Sequence, residues 1–192
     1  MSIVYFGKKR ILKLSVLFLY IIIYLYGFPL RAQDANLSQI TLLVDNIQRS
    51  VDFYQRLGFT IAYKKTYRMS DGKVVIGADK LPLTADPKIG KYVIMRGDSD
   101  DNISLGLLAY EKPPLASARG NLMGLGVGDV LLVINTEDIN FISNRLDEFG
   151  ARFFSRLKKA DTVEVSDDDT IYNLLVYDPD GRLIEVMSKI NN

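Results

Sequence analysis

Gln39-Ile-Thr-Leu-Leu-Val-Asp-Asn-Ile-Gln-Arg-Ser-Val-Asp-Phe-Tyr-Gln-Arg-Leu-Gly-Phe59 changes its hydrophobic period partway along. Ile40 to Val44 is rich in β-formers and predicts a strand. Asp45 then offers a helix N-cap, with Gln48 three residues on as the partner of a capping box. Ile47, Val51, Tyr54 and Leu57 fall on one face of the helix that follows. Gly58 is a natural C-terminal stop, and Phe59 to Tyr63 resumes a strand.

The same message is written a second time. Val130 to Ile134 reads as a strand, Thr136 or Asp138 as a cap, and Ile139, Ile142, Leu146 and Phe149 as a helical stripe. Gly150 ends the helix and Arg152 to Leu157 resumes a strand. Ile139 follows Ile47 by 92 positions, as Gly150 follows Gly58, so the chain carries an internal duplication.

Each half closes with a hairpin. The second runs from Ile171 to Tyr177, turns at Asp178-Pro-Asp-Gly181 and returns through Arg182 to Met187. Pro and Gly stand where a tight turn wants them. The first runs from Lys91 to Arg96, turns over Gly97 to Asn102 and returns through Ile103 to Tyr110. Arg96-Gly97-Asp98 belongs to this turn. Matching Asp180-Gly181 to Asp101-Asn102 aligns Glu185 with Gly106. Gly58 to Gly106 then spans 48 residues against 35 from Gly150 to Glu185, so the first half holds about 13 extra. The excess falls in Tyr67 to Gly90, which either covers a pocket mouth or makes a solvated excursion.

Glu111 to Gly128 connects the halves. Its Gly124-Leu-Gly126-Val-Gly128 precedes a strand, whereas a dinucleotide loop follows one and opens a helix. The acidic stretch Glu164 to Thr170 reads as a solvated turn rather than a cation site.

At the N-terminus, Lys8, Lys9, Arg10 and Lys13 precede an apolar run from Leu14 to Leu30, broken by Gly27 and Pro29 and followed by Ala32. This is the layout of a secretory signal peptide. The run is also nearly long enough to span a bilayer, so a retained anchor over residues 14–30 is the alternative. Residues 1–32 stand apart from the fold.

Composition removes several chemistries. The chain has no cysteine, hence no disulfide, thiolate ligand or thiol nucleophile. It has no histidine, hence no imidazole base or ligand. The net charge of +1 gives no reason to seek nucleic acid. Any metal site has to be built from oxygen.

Gln39-Ile-Thr-Leu-Leu-Val-Asp-Asn-Ile47, Ser50-Val-Asp-Phe-Tyr54 and Leu57-Gly-Phe59 resemble the opening segment of the vicinal-oxygen-chelate (glyoxalase/bleomycin-resistance/dioxygenase) superfamily. Tyr177-Asp-Pro-Asp-Gly-Arg-Leu-Ile-Glu-Val186 is similar to its closing hairpin. The resemblance implies an α+β fold of two tandem βαβββ modules, residues 38–112 and 129–190, joined by a linker over 113–128. It further implies that the modules form one cupped mixed sheet around a single cavity. Metal-binding members take ligands from positions that map here to Gln39, Gly106, Leu131 and Glu185. Only Gln39 and Glu185 have side chains able to ligate a metal.

The expected function is therefore that of an exported small-molecule-binding protein without the family metal. No cofactor is expected, although a divalent metal completed by water stays open. The pocket is expected to include Gln39, Gly106, Leu131, Val133, Leu183 and Glu185, with Tyr172, Asn173 and Tyr177 on faces that the sequence does not assign. Alternation puts Leu183, Glu185 and Met187 on one face, opposite Ile184 and Val186. The alternative is a lyase, isomerase or dioxygenase using an atypical metal or Glu185 as catalytic base; the third reading is a dimeric interaction module. Expected partners are a small molecule and a second copy of the chain, with membrane contact only through the N-terminal segment. The expected location is periplasmic or secreted.

Overall fold

In the computed structural model, which describes residues 36–71, 81–97, 103–117, 125–160 and 169–191, Asn46 caps the first helix by accepting from the Arg49 amide. The expected cap, Asp45, is one residue too early. Its amide donates to Asp180 Oδ1 at 2.9 Å, and Gln48 pairs with Asp52 instead of closing a capping box. In the second half Asp138 is the cap, accepting from Phe141 N at 2.9 Å. Gly150 ends that helix at φ 75°, a left-handed conformation that glycine adopts without steric cost.

The first half consists of β1 (Gln39–Leu43), α1 (Ile47–Arg56), β2 (Thr60–Arg68), a short 3-10 turn (Met69–Asp71), β3 (Ile89–Arg96) and β4 (Ser104–Glu111). The second consists of β5 (Leu132–Asn135), α2 (Ile139–Phe149), β6 (Arg152–Lys159), β7 (Asp169–Tyr177) and β8 (Leu183–Asn191). These are two βαβββ units, as expected, but each keeps a sheet of its own instead of joining in the single cupped sheet that was expected. Their strands form two four-stranded mixed sheets, ordered β1-β4-β3-β2 and β5-β8-β7-β6. In each, the first strand runs parallel to the last and the other pairs are antiparallel.

Register carries the duplication to the level of single residues. Thr41 pairs with Gly106 in the first sheet, and Val133 pairs with Glu185 in the second. Gly106 and Glu185 are therefore equivalent positions, as the turn alignment had it. Leu131 lies one residue before β5 rather than at its start.

Both helices lie over a common core. Val51, Phe53 and Tyr54 of α1 and Ile139, Ile142 and Leu146 of α2 are buried in one cluster with Leu107, Leu174, Ile184 and Val186 from the two sheets. Phe53 meets Phe149 edge-on at 5.9 Å, which joins the two helices. Burial is the main stabilising contribution here, about 1.5–3 kcal/mol for each large apolar side chain.

The Asp178-Pro-Asp-Gly181 turn does more than reverse the chain. Asp178 is buried, and its Oδ1 accepts from the amides of Asp180 (3.0 Å) and Arg182 (2.7 Å). Its Oδ2 accepts from Tyr54 OH (3.1 Å) and from Arg182 Nη1 (3.0 Å). Arg182 Nη2 donates to the Leu43 carbonyl, and Ser50 Oγ to Asp180 Oδ2 at 3.4 Å. The closing hairpin of the second module is thus fastened to β1 and α1 of the first. Burial, then the Asp178 charge, push the Tyr54 phenol well above its ordinary range, so it remains a donor.

The N-terminal apolar run, the 72–80 stretch, the 98–102 turn, Gly124 and the acidic residues up to 168 lie outside the described residues. Among the described residues no helix is long and apolar enough to cross a membrane.

Asp178→Ala strips the acceptor from Tyr54 and Arg182 together. Removing one partner of a buried ion pair typically costs about 3–5 kcal/mol. Urea unfolding should show a loss of that size, against about 0.5 kcal/mol or less for Asp86→Ala, whose pair with Lys88 is exposed. Equal losses would mean that the latch is not what joins the modules.

Candidate functional site

Because Ile184 and Val186 point into the core, Leu183, Glu185 and Met187 lie on the helix-free face of the second sheet. Leu174 and Val176 of β7 are core residues, so Asn173, Leu175 and Tyr177 share that helix-free face, while Tyr172 packs toward the core. This assigns the three polar residues whose faces the sequence left open. Val133 and Leu175 flank Glu185 across the sheet, and Leu131 and Val133 are 43% and 54% exposed. Asn173 Nδ2 donates to Glu185 Oε1 at 2.8 Å. Among the described residues this is the contact that holds the carboxylate.

The equivalent face of the first sheet is closed by its own side chains. Gln39 Nε2 donates to Thr41 Oγ1 and to Tyr92 OH, both at 2.5 Å. These groups lie over Gly106, where an added Cβ would come 2.6 Å from Thr41 Oγ1 and 2.9 Å from Gln39 Nε2. Tyr67, Tyr92, Leu108 and Tyr110 form a buried cluster beside them. Leu81 and Leu83, from the extra stretch of the first module, pack on this cluster with Leu115. The described part of that stretch is therefore a cover and not a solvated excursion.

The four family positions thus differ sharply. Glu185 presents a carboxylate, and the Gln39 amide is committed to Thr41 and Tyr92. Gly106 has no side chain and no space for one, and Leu131 is aliphatic. A hard divalent cation wants several oxygen ligands, and these residues do not fit one. Among the described residues no three His, Cys, Asp or Glu side chains come together. Gln39 and Glu185 each occupy the helix-free face of their own sheet.

A recess of about 500 Å³ lies elsewhere, at the ends of the helices, and Asp52, Arg56, Phe59, Arg145 and Phe149 line it. None of the four positions borders it.

Sequence reasoning missed the pairings of Tyr92 with Gln39 and of Asn173 with Glu185. Asn173 was within reach, because strand alternation from Leu174 and Val176 sets it on the Glu185 side. Tyr92 was not, since its contact with Gln39 spans 53 positions.

A fold of two βαβββ modules, with a carboxylate near the start of its last strand, is the architecture of a known class. The family model of the Glyoxalase/Bleomycin resistance protein/Dioxygenase superfamily matches residues 36–186. The chain belongs to that superfamily. Its fold is similar to that of a glyoxalase family protein from Bacillus cereus, with a TM-score of 0.57 and 14% identity over 84% of this chain and 99% of that one. It is also similar to a mutant of glyoxalase I from Zea mays, with a TM-score of 0.53 and 12% identity over 79% of this chain and 44% of that one. At such identities the likeness shows the fold alone. No curated protein matches the chain in sequence.

Two outcomes follow from the closed first face. Gly106→Ala should cost about 1–3 kcal/mol, the usual range for overpacking, and less in a Thr41→Ala background, where the nearest atom is gone. Additive losses in urea unfolding would show that Gly106 is not crowded. The second outcome concerns high pH. A hydrogen bond with Tyr63, then burial, raise the Tyr67 phenol to about 12, and burial raises Tyr110. A folded pKa above the unfolded value of 10.0 stabilises the protein below that pH, and the gain disappears as pH rises through about 12. Phenolate absorbance should show a late-titrating class of tyrosines, moved to lower pH by Tyr63→Phe. A single transition near the ordinary value would contradict this.

Proposed function

We propose that this chain is an exported small-molecule-binding protein of the superfamily that works without the family metal. The observation that carries the reading is the closure of the first half-site, where Gln39, Thr41 and Tyr92 lie over Gly106. It leaves Glu185 as the one carboxylate of the four positions. The pocket lies on the open face of the second sheet, around Leu131, Val133, Leu183 and Glu185, while Gln39 and Gly106 belong to the closed face of the first. Apolar walls with a few placed polar groups are the usual form of a ligand site. The basic and apolar segment of residues 1–32 directs export and is removed, or stays as an anchor over residues 14–30. The partners are a small molecule and a second copy of the chain.

The alternative within the same superfamily is an enzyme of lyase, isomerase or dioxygenase type. The pairing of Asn173 with Glu185 favours it, since an oriented carboxylate can serve as a base. Dioxygenase chemistry at iron held by two histidines and a carboxylate is out of reach of a chain with no histidine.

The test is metal content of the purified protein, then calorimetric titration with magnesium, manganese, zinc, iron(II) and nickel. No stoichiometric metal is expected, and Glu185→Ala should leave the result unchanged. A stoichiometric metal that Glu185→Ala removes would overturn the metal-free reading in favour of the enzyme.

A further inference from the structure

Glu185 is the one acidic side chain that the pairings of β5, β7 and β8 set in the middle of an otherwise apolar patch. Val133 and Leu175 are its direct cross-strand neighbours, and Leu183 and Met187 follow it at two-residue spacing on its own strand. An ionised carboxylate only accepts hydrogen bonds. Asn173 must therefore turn its NH2 toward Glu185 Oε1, which directs Asn173 Oδ1 away as a second acceptor. Among the described residues, neither Glu185 Oε2 nor Asn173 Oδ1 has a recorded donor. Two acceptors, one of them charged, thus stand side by side on a face whose β5 edge exposes Leu131 and Val133.

Arg152 and Lys158 lie toward the opposite edge of this sheet, and Lys189, on the strand and face of Glu185 but four residues further on, has an interaction of its own. Arg152 stacks on the Tyr177 ring at 4.2 Å, and Lys158, which pairs across from Asn173, has an interaction of its own. The β5 side is thus left apolar around one negative charge.

We propose that the ligand is an organic cation with N–H donors, a primary ammonium or a guanidinium, carried on an apolar or aromatic body. Its charged group takes the place that the superfamily gives to a metal. Glu185 Oε2 and Asn173 Oδ1 accept its N–H groups, and Leu131, Val133 and Met187 contact its body. A charged donor makes a stronger hydrogen bond to a carboxylate than a neutral one does, and the apolar surround strengthens the attraction. Asn173 is a positioning residue, since it holds the carboxylate in place and supplies the second acceptor. This inference rests on the small-molecule reading and names its ligand class.

The test compares three probes of one shape on the full chain, by calorimetry at fixed ionic strength: phenethylammonium, 2-phenylethanol and 3-phenylpropionate. Phenethylammonium should bind at least fivefold tighter than 2-phenylethanol, and 3-phenylpropionate weakest. Glu185→Gln should abolish the preference for the amine, with an unchanged circular dichroism spectrum and urea midpoint showing that the variant is folded. Asn173→Ala should reduce the ratio of amine to alcohol affinity, whereas a merely structural loss would weaken both probes in proportion. Equal binding of amine and alcohol, tighter binding of 3-phenylpropionate, no binding of the amine, or a preference that survives Glu185→Gln would each overturn the proposal. Binding of the alcohol alone would do so while the small-molecule reading stood. A stoichiometric metal would remove that reading itself.

Discussion

The arrangement of the two modules depends on a single buried carboxylate. Asp178 ends β7, caps its own turn through two backbone amides, and receives the Tyr54 hydroxyl and the Arg182 guanidinium on its other oxygen. All of its acceptor capacity is directed inward, so the desolvation of its charge is offset by hydrogen bonds from both modules. The closing hairpin therefore cannot shift without also disturbing α1 and the end of β1. That hairpin carries Glu185, which makes the latch the anchor of the candidate site as well.

Within this frame the duplicated halves have diverged in opposite directions. In the first, Gly106 admits the amide of Gln39 and the hydroxyls of Thr41 and Tyr92, and tyrosines and leucines fill the remaining face. In the second, the equivalent residue is Glu185, and Val133 of the neighbouring strand β5 and Leu131 just before it stand in the open. Side chains that meet within one sheet face compete for the same space. A glycine at one position and a large aromatic at its neighbour are therefore two parts of one solution. The additional stretch of the first module fits this picture, since Leu81 and Leu83 complete the cover over the tyrosine cluster.

Membership of the superfamily settles the scaffold and leaves the chemistry to the site, because one scaffold of this kind serves several reactions. What distinguishes this chain is which acceptors and which apolar surface the scaffold presents. The Glu185–Asn173 pair on the second sheet is the feature on which the proposed ligand reading rests.

Periodicity and spacing were enough to read the order of elements and the duplication, while the assembly into modules came from the resemblance. The β-formers of Ile40 to Val44, the stripe Ile47, Val51, Tyr54 and Leu57, and their return 92 positions later are local or periodic signals. The turn alignment even placed Gly106 opposite Glu185, because strand register follows from turn chemistry. Contacts between residues far apart in the chain were not readable in this way. The choice of Asn46 over Asp45 as cap reflects the demand of Asp180, 135 positions away, on the Asp45 amide. The capture of the Gln39 amide by Tyr92 and the second role of Asp178 also depend on packing across strands and modules. Which partner wins such a polar group is settled by the geometry of burial, since an amide or carboxylate removed from water must find its partner among whatever the fold brings near.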